Sequence, residues 1–245
     1  MTLKLFKKPS EPLLGPTKEN NKFLRWVNYA VPGMLVDGNV AAMDYAIAHM
    51  PRGYPALEIG SFCGLSTVVI SYLMQKHGID APLFTCDKWE FEGQDGTQIG
   101  DSNVTYEAYQ AHVKESFLSN MQTFAANKLP YTIECLSDDF FRRWLAHESA
   151  ADVFGRTATL GGELSFCYID GNHKYAFAKR DFENTDRVLV PGGFILFDDS
   201  ADGSDWEVNR LAGEIVSAGL YDVISKNPNY LFRKKIIRSI TIPSV

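Results

Sequence analysis

From Pro55 onward the chain alternates short apolar runs with helix-length segments, and few architectures accept that pattern. "PALEIG" (55–60), "PLFTCD" (82–87), "YTIECL" (131–136), "SFCYID" (165–170) and "GFILFD" (193–198) are each bounded by Gly, Pro or an acid. Several are apolar almost throughout, as strands covered on both faces must be. Segments 65–76, 105–127, 139–147, 174–188 and 205–218 read as the intervening helices. In 105–127, Tyr106, Tyr109, Val113, Phe117, Met121 and Phe124 recur at three-to-four spacing and form one stripe. Such alternation predicts an α/β, doubly wound, mostly parallel sheet with helices on both faces. The pattern changes at 221–235, where two strand-like runs flank Asn227-Pro228-Asn229 and predict a terminal antiparallel hairpin.

Two helix candidates, 20–30 and 39–49, precede the alternation. The chain therefore divides into an N-terminal helical cover (1–50), the alternating domain (51–236) and a C-terminal tail (237–245). Stretches 88–103 and 149–163 read as long loops, the second as a solvated insertion. With 245 residues, 45% of them hydrophobic, one sizeable core is expected. A net charge of −6 leaves no basic excess to displace counterions, which argues against a nucleic-acid partner. Only "KKP" and "RKKIIR" cluster positive charge. No apolar run approaches the roughly 20 residues of a membrane span, and the start lacks a signal-peptide core. Cys63, Cys86, Cys135 and Cys167 form no CxxC pair, so they are expected as small buried hydrophobes in a reducing, cytoplasmic setting.

Ligands of open parallel sheets bind beyond the carboxyl ends of the strands, where the winding reverses. "LEIGSFCGLST" (57–67) leaves the first strand there and enters a helix. A dinucleotide fingerprint would read G-x-G-x-x-G and aim a helix N-terminus at a pyrophosphate. This turn reads E-x-G-x-x-x-G instead. The Glu58 carboxylate would repel a diphosphate but suits a ligand carrying an amine, such as S-adenosylmethionine. Gly60 and Gly64 let the backbone turn sharply and approach a ligand. Asp87 ends the second strand, where an acid can accept both ribose hydroxyls. Ser137 and Asp138 follow the third strand, placed for an adenine edge or equally for a helix N-cap. Trp89 and Phe91 could stack on the adenine, wall the substrate pocket, or pack a loop.

With those residues in view, the chain resembles the class I S-adenosylmethionine-dependent methyltransferases over roughly 55–235. "LEIGSFCGLST" is similar to the glycine loop of the catechol, sugar and small-molecule O-methyltransferase group. The resemblance implies a Rossmann-like sheet of seven strands with the last one antiparallel, and the donor held by Glu58, Gly60, Ser61, Phe62, Gly64, Ser66, Asp87, Trp89, Ser137, Asp138 and Asp170.

The same resemblance brings the ends of "SFCYID" and "GFILFD" side by side, and with them Asp170, Asp198 and Asp199. Unpaired, three such acids repel, and all-oxygen ligation selects a hard cation. In catechol-type relatives these positions bind Mg²⁺, so the resemblance implies a divalent ion here. His173 stands three residues beyond Asp170. Sugar O-methyltransferases use the same D-x-x-H spacing for a general base, and an imidazole of pKa ~6.5 can take a proton near neutrality. Lys174 is the second candidate, while Trp206 and Tyr175 read as packing residues. The implied reaction moves a methyl group to a hydroxyl of a small molecule, a sugar or a catechol, and leaves S-adenosylhomocysteine. A non-catalytic binding subunit and a nicotinamide-dependent oxidoreductase are the alternatives, and assembly into a homo-oligomer stays open.

Overall fold

The computed structural model describes residues 13–91 and 97–236. Helices α1 (Lys22–Ala30) and α2 (Asp37–His49) stand ahead of the sheet. The winding runs β1 (Ala56–Ile59), α3 (Leu65–Lys76), β2 (Leu83–Asp87), α4 (Tyr106–Phe124), β3 (Tyr131–Glu134) and α5 (Ser137–Leu145). A small hairpin, β4 (Ser149–Ala151) and β5 (Thr157–Thr159), leads to β6 (Leu164–Ile169), α6 (Tyr175–Val188), β7 (Leu189–Phe197) and α7 (Val208–Ala218). Strands β8 (Tyr221–Lys226) and β9 (Tyr230–Lys234) follow. The main sheet has seven strands in the order β3-β2-β1-β6-β7-β9-β8. Only β9 and β8 join antiparallel, as the hairpin signal predicts.

Successive side chains of a strand point to opposite faces, so each central strand feeds two cores. Phe166 and Tyr168 of β6 join one buried cluster with α1, α2, α3 and α4. Cys167 and Ile169 join the other, with α5, α6 and α7. The expected N-terminal cover is therefore integral to the first core, where Leu24, Val27, Met43 and Ile47 are buried beside α3. On α4 the apolar stripe buries Val113, Phe117 and Met121 fully, with Tyr109 and Phe124 packed partly buried on the same core. All four cysteines are free and buried.

Two expectations change. Segment 149–163 holds the β4–β5 hairpin, not an open loop. Asp152 accepts the backbone N–H groups of Phe154 and Arg156 at 3.0 and 2.7 Å and ties the turn together. The strands carry buried Ala150 and Ala158. The strand expected at 193–198 begins earlier, at Leu189, so β7 takes in Pro191, Gly192 and Gly193, and its register against β6 shifts between Leu164 and Phe166. The proposed tail 237–245 lies outside the described residues, as do 1–12, with "KKP", and 92–96 of the loop at 88–103. No described helix is long and apolar enough to cross a membrane.

The winding reverses between β1 and β6, and this places two turns against each other. Gly60 has φ +83, and a Cβ there would stand 2.0 Å from the Asp170 carbonyl oxygen. Gly64, at φ +93, caps α3, where a Cβ would meet Met121 of α4 at 2.5 Å. Gly60 is thus demanded by a backbone contact as well as its φ, and Gly64 by its φ, which agrees with the sharp turn expected of both. Gly60→Ala should destabilise the fold by about 3 kcal/mol or more, since it adds a backbone clash to a strained φ. Gly53→Ala, at φ +88 with nothing within 4 Å, should cost about 1 kcal/mol, so urea unfolding of the pair isolates the clash.

Candidate functional site

The turn after β1 is organised by acids. Asp87, at the end of β2, accepts the N–H groups of Ser61 and Phe62 on Oδ2 at 2.7 and 2.9 Å. Its Oδ1 accepts from Trp89 N–H at 2.6 Å. These bonds fix Phe62 at φ +45 and Trp89 at φ +54, conformations that few L residues adopt unaided. Burial raises the Asp87 pKa, and the backbone donors work against that rise. The expected ribose ligand is therefore first a clamp on the glycine turn.

Glu58 is fully buried in mid-strand. Its Oε2 accepts from the hydroxyls of Thr67 and Ser61, so the acid ties β1 to the start of α3. Its Oε1 is buried and has no hydrogen-bond partner among the described residues. Burial pushes the pKa up to about 7, with the hydroxyls of Ser66, Thr67 and Ser61 opposing and the Asp87 charge adding. Trp89 is 1% exposed and packs on Phe117 at 5.5 Å, its indole N–H on the Phe62 carbonyl at 2.9 Å. A ring enclosed in this way supports the turn from behind and has no open face for an adenine. Phe91, in contact with Phe62 and Tyr109, is the more accessible aromatic.

Ser137 and Asp138 stand inside the first turn of α5, whose N-cap is Leu136, so neither is the helix N-cap. The Asp138 carboxylate turns to α6, 3.1 Å from Arg180 and 3.3 Å from the Asn184 amide. Ser137 bonds to buried Asp181 of α6, a carboxyl that burial lifts to about 7. Both residues brace α5 against α6.

The second half of the site lies at the ends of β6 and β7, beside β1. Asp170 accepts from Tyr168 Oη at 3.2 Å. Asp198 Oδ1 accepts two side-chain amides, Asn39 of α2 and Asn229 of the β8–β9 turn, each at 2.6 Å. Asn229 also donates to Asn39 Oδ1 at 3.1 Å and accepts from Ala201 N–H at 3.1 Å. Burial and then the Asp198 charge push Asp170 well above the usual carboxylate range, and burial followed by Asp199 raises Asp198. Asp199, at φ +52, turns away and places Oδ2 2.5 Å from His173 Nδ1. The expected trio is thus a facing pair, Asp170 and Asp198, with the third acid on the imidazole. Among the described residues no group of three acidic, imidazole or thiol side chains is arranged to hold a metal ion. A small crevice of about 10 Å³, room for one water, is lined by Asp170, His173 and Asp198.

Asn39, Tyr168 and Asn229 were not singled out in the sequence. Asn39 interrupts an Ala/Val/Met-rich helix, and Tyr168 brings the one hydroxyl near the end of an apolar strand. Asn229 had been counted only as a turn former. Lys174, the alternative base, is exposed and caps α6.

A family profile described as a methyltransferase domain matches residues 57–200. A comparison with curated proteins finds no match. Among solved structures, an O-methyltransferase from Bacillus cereus in complex with SAH is 16% identical, with TM-score 0.54, covering 88% of this chain and 91% of that one. The O-methyltransferase TomG from Streptomyces achromogenes, involved in tomaymycin synthesis and solved with SAM, is 15% identical, with TM-score 0.54 and the same coverage. The calicheamicin methyltransferase CalS11 is 13% identical with TM-score 0.53, covering 95% of this chain and 99% of that one. At such identities the likeness establishes the fold.

Glu58 gives a signed pH dependence. A carboxyl whose pKa rises from 4.5 unfolded to about 7 folded binds more protons in the folded state across that window. Stability therefore falls as pH rises from about 4.5 to about 7, by about 3 kcal/mol for this group, and levels off above. Glu58→Gln should flatten the urea midpoint measured between pH 5 and pH 8, with Asp181 retaining part of the slope. Asp87→Asn places an NH₂ or a weaker acceptor against three N–H donors, so it should destabilise by about 2–4 kcal/mol in the same assay.

Proposed function

We propose that this chain, which belongs to the methyltransferase-domain family, transfers the methyl group of S-adenosylmethionine to a hydroxyl oxygen of a small molecule. The observation that carries the reading is the His173–Asp199 pair at 2.5 Å, in the loop after β6 whose Gly171 lies against Gly60 of the glycine turn. The Bacillus cereus and Streptomyces neighbours are O-methyltransferases and hold SAH and SAM.

On this reading the turn at 60–64 receives the donor. The orphan Oε1 of Glu58 is an acceptor suited to the donor's ammonium, and the remaining capacity of Asp87 Oδ1 to a ribose hydroxyl. Ser61, Phe62 and Ser66 line the turn. His173 does the proton chemistry. With the Asp199 carboxylate 2.5 Å from Nδ1, the positive charge that the imidazole gains on taking a proton is stabilised. It takes the hydroxyl proton as the acceptor oxygen bonds to the methyl carbon and the carbon–sulfur bond breaks. Positive charge thus passes from sulfonium to imidazolium, and S-adenosylhomocysteine remains. Rate comes from holding oxygen, methyl and sulfur in line, and from the nearby acids.

Asp170 and Asp198 would hold a divalent cation such as Mg²⁺, because the Asp198 charge adds to the raised pKa of Asp170 and a cation relieves it; bound there, it would acidify the acceptor hydroxyl.

S-adenosylmethionine and S-adenosylhomocysteine should each raise the unfolding midpoint. Mg²⁺ should add to that rise in the wild type but not in Asp198→Asn, and an equal response would remove the cation from the reading. With a methylated acceptor in hand, His173→Ala should lower kcat by about 100-fold or more while donor affinity stays within about threefold. Wild-type turnover in that variant would exclude His173 as base.

A further inference from the structure

The segment after β7 carries one side chain that the proposed reaction does not use. Trp206 is 48% exposed, yet its ring lies 4.8 Å from that of His173, tilted by 55°. The sequence reading assigned it to helix packing, but it stands at the surface on the side of the base.

A single exposed aromatic is ordinary on a protein surface. This one differs because its place is held from several directions. Its backbone N–H donates to Ser204 Oγ at 3.2 Å, and the Asn209 amide donates to the Ser204 carbonyl at 2.6 Å. Next to it, Glu207 accepts the N–H of Tyr175, the first residue of α6, at 2.7 Å. Earlier in the segment, Asp199 grips His173, and Asp202 accepts from Tyr230 Oη at 2.7 Å. The β7–α7 segment and the loop bearing His173 are therefore one braced unit, and the indole is fixed beside the imidazole with about half its surface in solvent.

We infer that Trp206 is a specificity-determining residue that forms a wall of the acceptor site and stacks on the flat face of a ring-bearing acceptor whose hydroxyl is offered to His173. The inference rests on the methyl-transfer reading above. An indole presents a broad apolar face that an aromatic ring, or the C–H face of a pyranose, can cover at 4.5–7 Å between centroids. A ring seated on an indole that itself touches the imidazole brings its substituent oxygen within hydrogen-bond reach of the base. An acyclic acceptor would gain little from such a wall.

The test uses the full chain saturated with S-adenosylhomocysteine, with catechol and methyl α-L-rhamnopyranoside as probes, each titrated calorimetrically. At least one probe should bind the wild type. Trp206→Ala should weaken that binding by about tenfold or more, and Trp206→Phe, which keeps a ring, by less than about threefold. The midpoint shift caused by S-adenosylhomocysteine should be the same in all three proteins. Binding of catechol alone marks an aromatic acceptor, and binding of the rhamnoside alone a sugar; either supports the wall. Equal affinity in wild type and Trp206→Ala overturns it, as does a donor-responsive wild type that binds neither probe. A wild type with no response to S-adenosylhomocysteine overturns the donor reading on which the wall depends.

Discussion

A Cβ on residue 60 would collide with the Asp170 carbonyl at 2.0 Å, so β1 and β6 can end side by side only because that position is glycine. The residues of the proposed site are grouped around that contact. On one side is the glycine turn with Glu58 and Asp87; on the other are Asp170, His173 and the end of β7. Parallel strands 56–59 and 166–169 run in register up to this point, and the chain leaves β1 and β6 in separate loops. Between those loops the winding reverses, and open parallel sheets take ligands at such a point.

The acids around the cleft do structural work before any catalytic work. Asp87 gathers three backbone N–H groups, Glu58 two hydroxyls, and Asp198 two side-chain amides. Each bond to a charged acceptor is worth about 1.5–3 kcal/mol when the alternative is a buried, unsatisfied group. Such bonds hold the turns in strained conformations, Phe62, Trp89 and Asp199 among them. The same burial that demands these partners raises the pKa values of Glu58, Asp170 and Asp198. The rim is therefore rigid and electrostatically stressed together.

Asn39 and Asn229 add a second constraint. One comes from the helix before the sheet and the other from its terminal hairpin, and both converge on Asp198 Oδ1. The oxygen that accepts both amides has its lone-pair directions filled, which leaves Oδ2 as the oxygen with capacity to spare. Helix α2 is thus part of the construction around Asp198.

Pattern alone determined most of the fold: near-continuous apolar runs bounded by Gly, Pro or an acid, helix-length segments between them, and Asn-Pro-Asn at the hairpin. These signals are local, so they survive without knowledge of neighbours. The β4–β5 hairpin was missed because strands of three residues with Ala and Thr carry too little pattern to see. Residue types also marked Glu58, Asp87, Asp170, Asp198 and His173, because acids at strand ends are legible in a line of text. Only the tertiary structure decided what each one touches. It turned Asp199 from the acid pair to His173 and Asp138 to α6, it enclosed Trp89, and it brought Asn39 and Asn229 together across 190 positions. The physical reason is that hydrogen-bond partners and burial depend on long-range packing, which no local pattern encodes.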